Sequence, residues 1–181
     1  MPFSNDKKTF LSKLDKSKKD SLDEKIIPLI NLINSKENYY TTSSCSGRVL
    51  LWRGSGKKNE TQWLKVSHDF ITEEFFNIHP TTDLVWLRLE PLIMHICCKD
   101  LDSGNSLLDQ IKTIYKKSGF LSVKNKIIIE IRGSEFLEMP FYLDGKILFN
   151  SDLTLLQELI NNKFKEMEIK QEKLEKKITL F

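Results

Sequence analysis

Apolar and β-branched residues recur along this chain in short runs that are not regularly separated by helices. Residues 39–42, 49–52, 63–67, 84–89 and 92–98 read as strands, as do residues 127–131 and 137–142 further on. Only a brief helical stretch, residues 73–77, interrupts the first five. Strands and helices therefore do not alternate strictly, and the expected fold class is α+β. We expect a single domain over residues 1–181, with a mixed or antiparallel twisted sheet flanked by helices, and not a Rossmann arrangement. Pro140 limits the strand at 137–142 to an edge position, and Asp144-Gly145 marks a tight turn after it.

The helical segments have their own signatures. Ser21 and Glu24 have capping-box spacing, and Ile26, Leu29, Ile30 and Ile33 follow at helical intervals. Pro28 lies inside that stripe, so it either kinks the helix or moves its true start. Residues 103–117 read as a helix with Leu107, Leu108, Ile111, Ile114 and Tyr115 on one face and Gly119 as its C-terminal stop. A long helix is expected from about Leu153. Its seam is Leu156, Ile160, Phe164, Met167, Leu174 and Ile178.

With 40% hydrophobic and 29% charged residues among 181, the chain has the composition of a folded domain and not of a disordered one. A net charge of +3 permits a polyanionic partner without requiring one. Three cysteines, Cys45, Cys97 and Cys98, make a poor disulfide framework and contain no CxxC zinc pair. No metal is expected. The N-terminus lacks a signal-peptide pattern and no apolar run is long enough to span a bilayer. A cytoplasmic protein without a membrane or obligate protein partner is the simple expectation.

The sharpest local feature is Ser43-Ser44-Cys45-Ser46-Gly47-Arg48. Small residues let a backbone approach a ligand closely, and an arginine fork suits a carboxylate or phosphate. The run reads as a turn, and it matches neither GxxxxGK[ST] nor GxGxxG. His68 follows a strand and is placed to take a proton. His95 lies among apolar residues and reads as a buried, hydrogen-bonded core histidine. Glu90 ends a strand, either solvated or aimed at a site. Trp52, Trp63 and Trp86 read as core or rim aromatics, any of which could stack on a base. The lysines of residues 7–19 and of the last helix are solvated faces or phosphate contacts, and the basic loop 54–59 is a further candidate phosphate contact.

Together these pieces resemble one family. Tyr40-Thr41-Thr42-Ser43-Ser44-Cys45-Ser46-Gly47-Arg48 looks like its most characteristic run. Trp63-Leu64-Lys65-Val66-Ser67-His68, Leu89-Glu90-Pro91-Leu92-Ile93-Met94-His95 and Ser118-Gly119-Phe120 follow in the right order, and Leu137-Glu138-Met139-Pro140 and Asn161-Asn162-Lys163-Phe164 find counterparts. The family is that of tRNA wybutosine-synthesising protein 3. The resemblance covers nearly the whole chain. It implies a non-Rossmann, S-adenosylmethionine-dependent methyltransferase acting on N-4 of the tricyclic wybutosine precursor beside the anticodon, at position 37 of phenylalanine tRNA. After Phe120 the chain departs from the family: Leu121-Ser122-Val123-Lys124-Asn125-Lys126 is shorter and lacks an arginine and a glycine.

On this reading His68, Glu90 and His95 carry the chemistry, with His68 the first choice of base. Ser43, Ser44, Cys45, Ser46, Gly47, Arg48 and Trp63 hold the cofactor. Two rivals stand beside it: a catalytically impaired RNA-binding protein of the same fold, and a cysteine- or metal-dependent hydrolase built on Cys45, His68 and His95.

Overall fold

A computed structural model describes residues 2–12, 23–55, 57 and 60–181, and the structural statements below concern these residues. In chain order the elements are α1 (Phe3–Leu11), α2 (Ile27–Ser35), β1 (Tyr39–Cys45), β2 (Arg48–Arg53), β3 (Gln62–Ser67), β4 (Val85–Glu90), β5 (Ile93–Cys98), α3 (Leu101–Lys112), β6 (Gly119–Ser122), β7 (Ile127–Arg132), β8 (Leu137–Leu143), β9 (Lys146–Ile147) and α4 (Leu153–Leu180). Short 3-10 turns occupy Glu24–Ile26 and Glu73–Phe76.

The chain divides by contact into two compact units. One comprises Met1–Ser46, Leu92–Ser134 and Glu168–Phe181, and the other Gly47–Pro91 and Glu135–Met167. The strands correspondingly form two sheets, of order β1-β5-β7-β6 and β3-β2-β4-β8-β9. Every strand pairing among the described residues is antiparallel. The α+β class, the antiparallel pairing and the long C-terminal helix are as expected, and no Rossmann sheet is present. The strands, however, fill two sheets where one was expected.

In the first unit, strand alternation sends Met94 and Ile96 of β5 and Ile129 and Ile131 of β7 into a core with Ile30 and Leu107 from the helices, all 0–6% exposed. Pro28 stands in the first turn of α2. A missing N–H costs nothing there, so the proline starts the helix and does not kink it. Ser21 of the expected capping box lies outside the described residues, and Asp23 holds the N-cap position of the 3-10 turn without a side-chain cap bond. Asp100 caps α3, its Oδ1 accepting the Ser103 N–H at 2.8 Å. That helix ends at Lys112, short of the expected 117. The amides of Ile114 and Tyr115 both turn back to the Ile111 carbonyl, at 3.0 and 2.8 Å. Tyr115, 2% exposed, is drawn into the core, and Gly119 opens β6 instead of stopping the helix.

In the second unit Val49, Leu51, Leu87, Leu89 and Phe141 form the core with Ile160 of α4. The seam of α4 is shared: Leu156, Ile160, Phe164 and Met167 belong to this core, Leu174 and Ile178 to that of the first unit. β8 lies between β4 and β9 and is not the edge strand expected; because β9 pairs only with Tyr142 and Leu143, Pro140 nevertheless has a ladder partner, β4, on one side only. Asp144 and Gly145 turn β8 into β9 with φ of 49° and 78°, the left-handed pair of a tight hairpin. No helix of the described residues is long and apolar enough to cross a membrane.

Tyr39 and Cys98 are cross-strand partners in the first core. Burial pushes the Tyr39 phenol from 10.0 up to about 12, helped by the charges of Cys98 and Asp100. Burial likewise pushes the Cys98 thiol from 9.0 up to about 12, helped by Cys97 and Asp100. Unfolded, both groups release protons earlier, so raising the pH favours the unfolded chain. Their stabilisation is therefore complete below about pH 9 and lost progressively towards about pH 12. Urea melts across this window should show falling stability, with a shallower slope for Cys98→Ala. A pH-independent midpoint would contradict this.

Candidate active site

The register of β1 against β5 contains a bulge. Thr41 pairs with Ile96 and Ser43 with His95, which leaves Thr42 as an extra residue. In an unbroken ladder Thr42 would oppose His95 and Ser43 would oppose Met94, whose side chain lies in the core. The bulge instead sets two residues opposite His95. The Thr42 hydroxyl donates to the His95 carbonyl at 3.3 Å, and Ser43 Oγ lies 2.8 Å from His95 Nδ1. On the next strand His95 pairs with Glu130, whose Oε2 is 3.0 Å from His95 Nε2. Ser43, His95 and Glu130 thus form one polar row across β1, β5 and β7, on the face opposite the core.

His95 is consequently not the buried core histidine expected from its apolar neighbours. Those neighbours, Met94 and Ile96, point the other way, and the His95 side chain keeps 26% of its surface exposed. Two positions along the same face lies Tyr40, opposite Cys97. The Phe3 and Phe10 rings of α1 stand 5.5 and 5.3 Å from its ring. Its hydroxyl donates to Asp6 at 2.6 Å, and Lys126 Nζ reaches the same carboxylate at 2.6 Å. Burial, and then the bond to Asp6, hold the Tyr40 phenol well above its ordinary range. Burial also raises the Cys97 thiol, which makes it a packed neutral group and not a nucleophile.

The small-residue run is not the turn that its composition implied. Ser43, Ser44 and Cys45 continue β1, opposite His95, Met94 and Ile93. Pairing with β5 overrides the local turn preference, so these residues offer a strand and its side chains where loop amides were expected. Only Ser46 and Gly47 lie between β1 and β2, and Gly47 has the φ of 107° that favours glycine. The buried Ser46 gives its N–H and O–H to Asp23 Oδ2, at 3.1 and 2.6 Å. Cys45 is two residues beyond Ser43 on β1, and it is Ser43 that meets the Nδ1 of His95, so His95 and Cys45 do not form a base–nucleophile pair.

Arg48 opens β2 opposite Glu90, the last residue of β4. Its Nε donates to Glu90 Oε2 at 2.6 Å, and its guanidinium carbon lies 4.5 Å from the centre of the Trp63 ring. Trp63, on β3, is 51% exposed. Arg88 stands 3.5 Å from Glu90 Oε1, donates to Glu138 at 2.6 Å and lies 4.6 Å over Trp52. Trp52 stacks in turn on Trp86, at 6.1 Å and 17°. Glu90 is therefore a carboxylate between two arginines that fixes the Arg48 fork. His68 lies half-buried just past the end of β3.

Glu130, Arg88 and Glu138 are functional neighbours that the sequence motifs did not single out. Glu130 did leave a signal: it is the acid at the outward position of Ile127-Ile128-Ile129-Glu130-Ile131, where alternation singles it out.

The chain as a whole has known relatives. Residues 5–180 match the family described as Methyltransferase TYW3, and the chain belongs to that family. Among its relatives is the tRNA(Phe) 7-((3-amino-3-carboxypropyl)-4-demethylwyosine(37)-N(4))-methyltransferase of Methanocaldococcus jannaschii, 36% identical over 91% of both chains. The tRNA wybutosine-synthesizing protein 3 homologs of Xenopus laevis and Mus musculus are 34% and 32% identical over 92% and 86% of this chain. The chain spans 69% and 65% of the length of those two animal proteins. Of solved structures, the PH1069 protein from Pyrococcus horikoshii superposes with a TM-score of 0.88 at 31% identity, covering 98% of this chain and 96% of that one.

Proposed function

We propose that this chain is an S-adenosylmethionine-dependent methyltransferase that methylates N-4 of the tricyclic wybutosine precursor at position 37 of phenylalanine tRNA. The observation that carries this is the end-to-end similarity to an archaeal enzyme named for that reaction, with 91% of each chain aligned. We place the protein in the cytoplasm with its RNA, where Cys45, Cys97 and Cys98 stay reduced. We take residues 1–181 to work as one methyltransferase domain.

The residues present suit the cofactor. A guanidinium held at its Nε matches a carboxylate, a carboxylate beside it matches an ammonium or ribose hydroxyls, and a half-exposed indole matches an adenine face. Arg48, Glu90 and Trp63 would hold it, and Ser43, Ser44, Cys45, Ser46 and Gly47 enter the proposal through the family resemblance alone. When bound, S-adenosylmethionine supplies a methyl group already activated on a sulfonium, so no metal is needed.

What the chain itself must provide is position and a proton acceptor. Orientation is the larger contribution, since reacting atoms must be held at about 3 Å. The acceptor nitrogen carries a proton before methylation, and a neutral imidazole removes it, typically for roughly 10² to 10⁴ in rate. We assign this role to His95, which the Ser43–His95–Glu130 row holds in place from both ring nitrogens. His68, the first choice from the sequence, stands as the alternative base. Arg48 and Glu90 act by fixing a charged ligand and not by proton transfer.

Incubated with labelled cofactor and tRNA from cells lacking this step, the protein should add one methyl group to the tricyclic base, and titration calorimetry should show cofactor binding. Heat without methyl transfer would favour the RNA-binding alternative, and no heat at all would contradict the assignment. In single-turnover assays His95→Ala should lose about 10² to 10⁴ in rate with cofactor affinity retained. If His68→Ala shows that loss and His95→Ala does not, the base is His68.

A further inference from the structure

We propose that Glu130 is a positioning residue for the methyl transfer: it determines which nitrogen of His95 is free to take a proton, and it makes Ser43 the entry point of that proton. This rests on the reading of His95 as the base. An ionised carboxylate can only accept hydrogen bonds, so the ring nitrogen facing it must carry hydrogen. Glu130 Oε2 faces Nε2 at 3.0 Å. Nε2–H therefore donates to Glu130, and in the neutral ring Nδ1 is left bare. The group facing Nδ1 is the Ser43 hydroxyl, which donates to it at 2.8 Å.

The arrangement is a directional relay. As the substrate nitrogen is methylated its N–H bond breaks and an O–H bond forms at Ser43 Oγ. The proton that Ser43 held passes to Nδ1. His95 becomes an imidazolium with one N–H towards Ser43 and one towards Glu130, and its new charge is balanced by the carboxylate. Ser43 is exposed, whereas the Glu130 side chain retains only 23% of its surface. Proton entry is thus at the serine end, and the glutamate end serves to hold the ring. Ile129 and Ile131, both fully buried, leave Glu130 no alternative face.

The test is the tautomer of His95, read by nitrogen-15 NMR at a pH where the ring is neutral. The wild type should show a protonated Nε2 and a bare Nδ1. In Glu130→Met the acceptor is gone, Ser43 Oγ can accept instead, and the Nδ1–H form should appear. Single-turnover methylation should fall at least about tenfold, with KM for tRNA within about twofold. Should the methionine variant not fold, Glu130→Leu, which likewise lacks an acceptor, answers the same question. A wild-type ring protonated on Nδ1, or a Glu130 variant that keeps both tautomer and rate, would overturn the proposal. The tautomer can be read without turnover. If His95→Ala left the rate unchanged while the tautomer still depended on Glu130, it would be the base assignment, and not the row, that had failed.

Discussion

One extra residue in β1 decides which side chains the first unit presents outside its core. The Thr42 bulge sets both Thr42 and Ser43 against His95, and the hydroxyl–imidazole–carboxylate row then follows from strand alternation alone. The same alternation packs Met94, Ile96, Ile129 and Ile131 into the interior. Burying four aliphatic side chains at roughly 1.5–3 kcal/mol each outweighs any preference of the polar residues for another register. The core thereby fixes the row: a slip by one residue would expose the isoleucines and bury Glu130 together.

The second unit organises its polar face differently. There the cross-strand pair Arg48–Glu90 is extended by Arg88 and Glu138, and two of the three tryptophans carry a guanidinium on one side. A hydrogen bond to a charged group is worth about 1.5–3 kcal/mol when shielded, and a cation–π contact nearer 0.5–1 kcal/mol at an exposed site. The Glu90 bond, more than the Trp63 ring, is what holds the Arg48 fork. A fork restrained in advance loses less freedom when it meets a planar anion.

Much of this was legible in the sequence. Strand positions followed from β-branched runs, the hairpin from Asp144-Gly145, and the α4 seam from its spacing. The failures share a cause. Composition reports local preference, while the outcome at Ser43, His95 and Tyr115 was set by partners distant in the chain. Ser43-Ser44-Cys45 looked like a turn because nothing local shows that β5 will pair with it. His95 looked buried because its neighbours are apolar, although alternation sends those neighbours to the opposite face. Glu130 was visible as an interruption among isoleucines, but its partner lies 35 positions away. The ion pairs of Arg48 and Arg88 likewise depend on register, which sequence alone did not specify.

The most direct test is a titration of nitrogen-15-labelled protein with S-adenosylhomocysteine, followed at Arg48 Nε and the Trp63 indole. Both signals should shift together and saturate at one affinity, while core amides such as that of Ile129 stay in place. If both resonances remain fixed at saturating ligand, Arg48 and Trp63 do not hold the cofactor, and the assignment of the second unit's polar face fails.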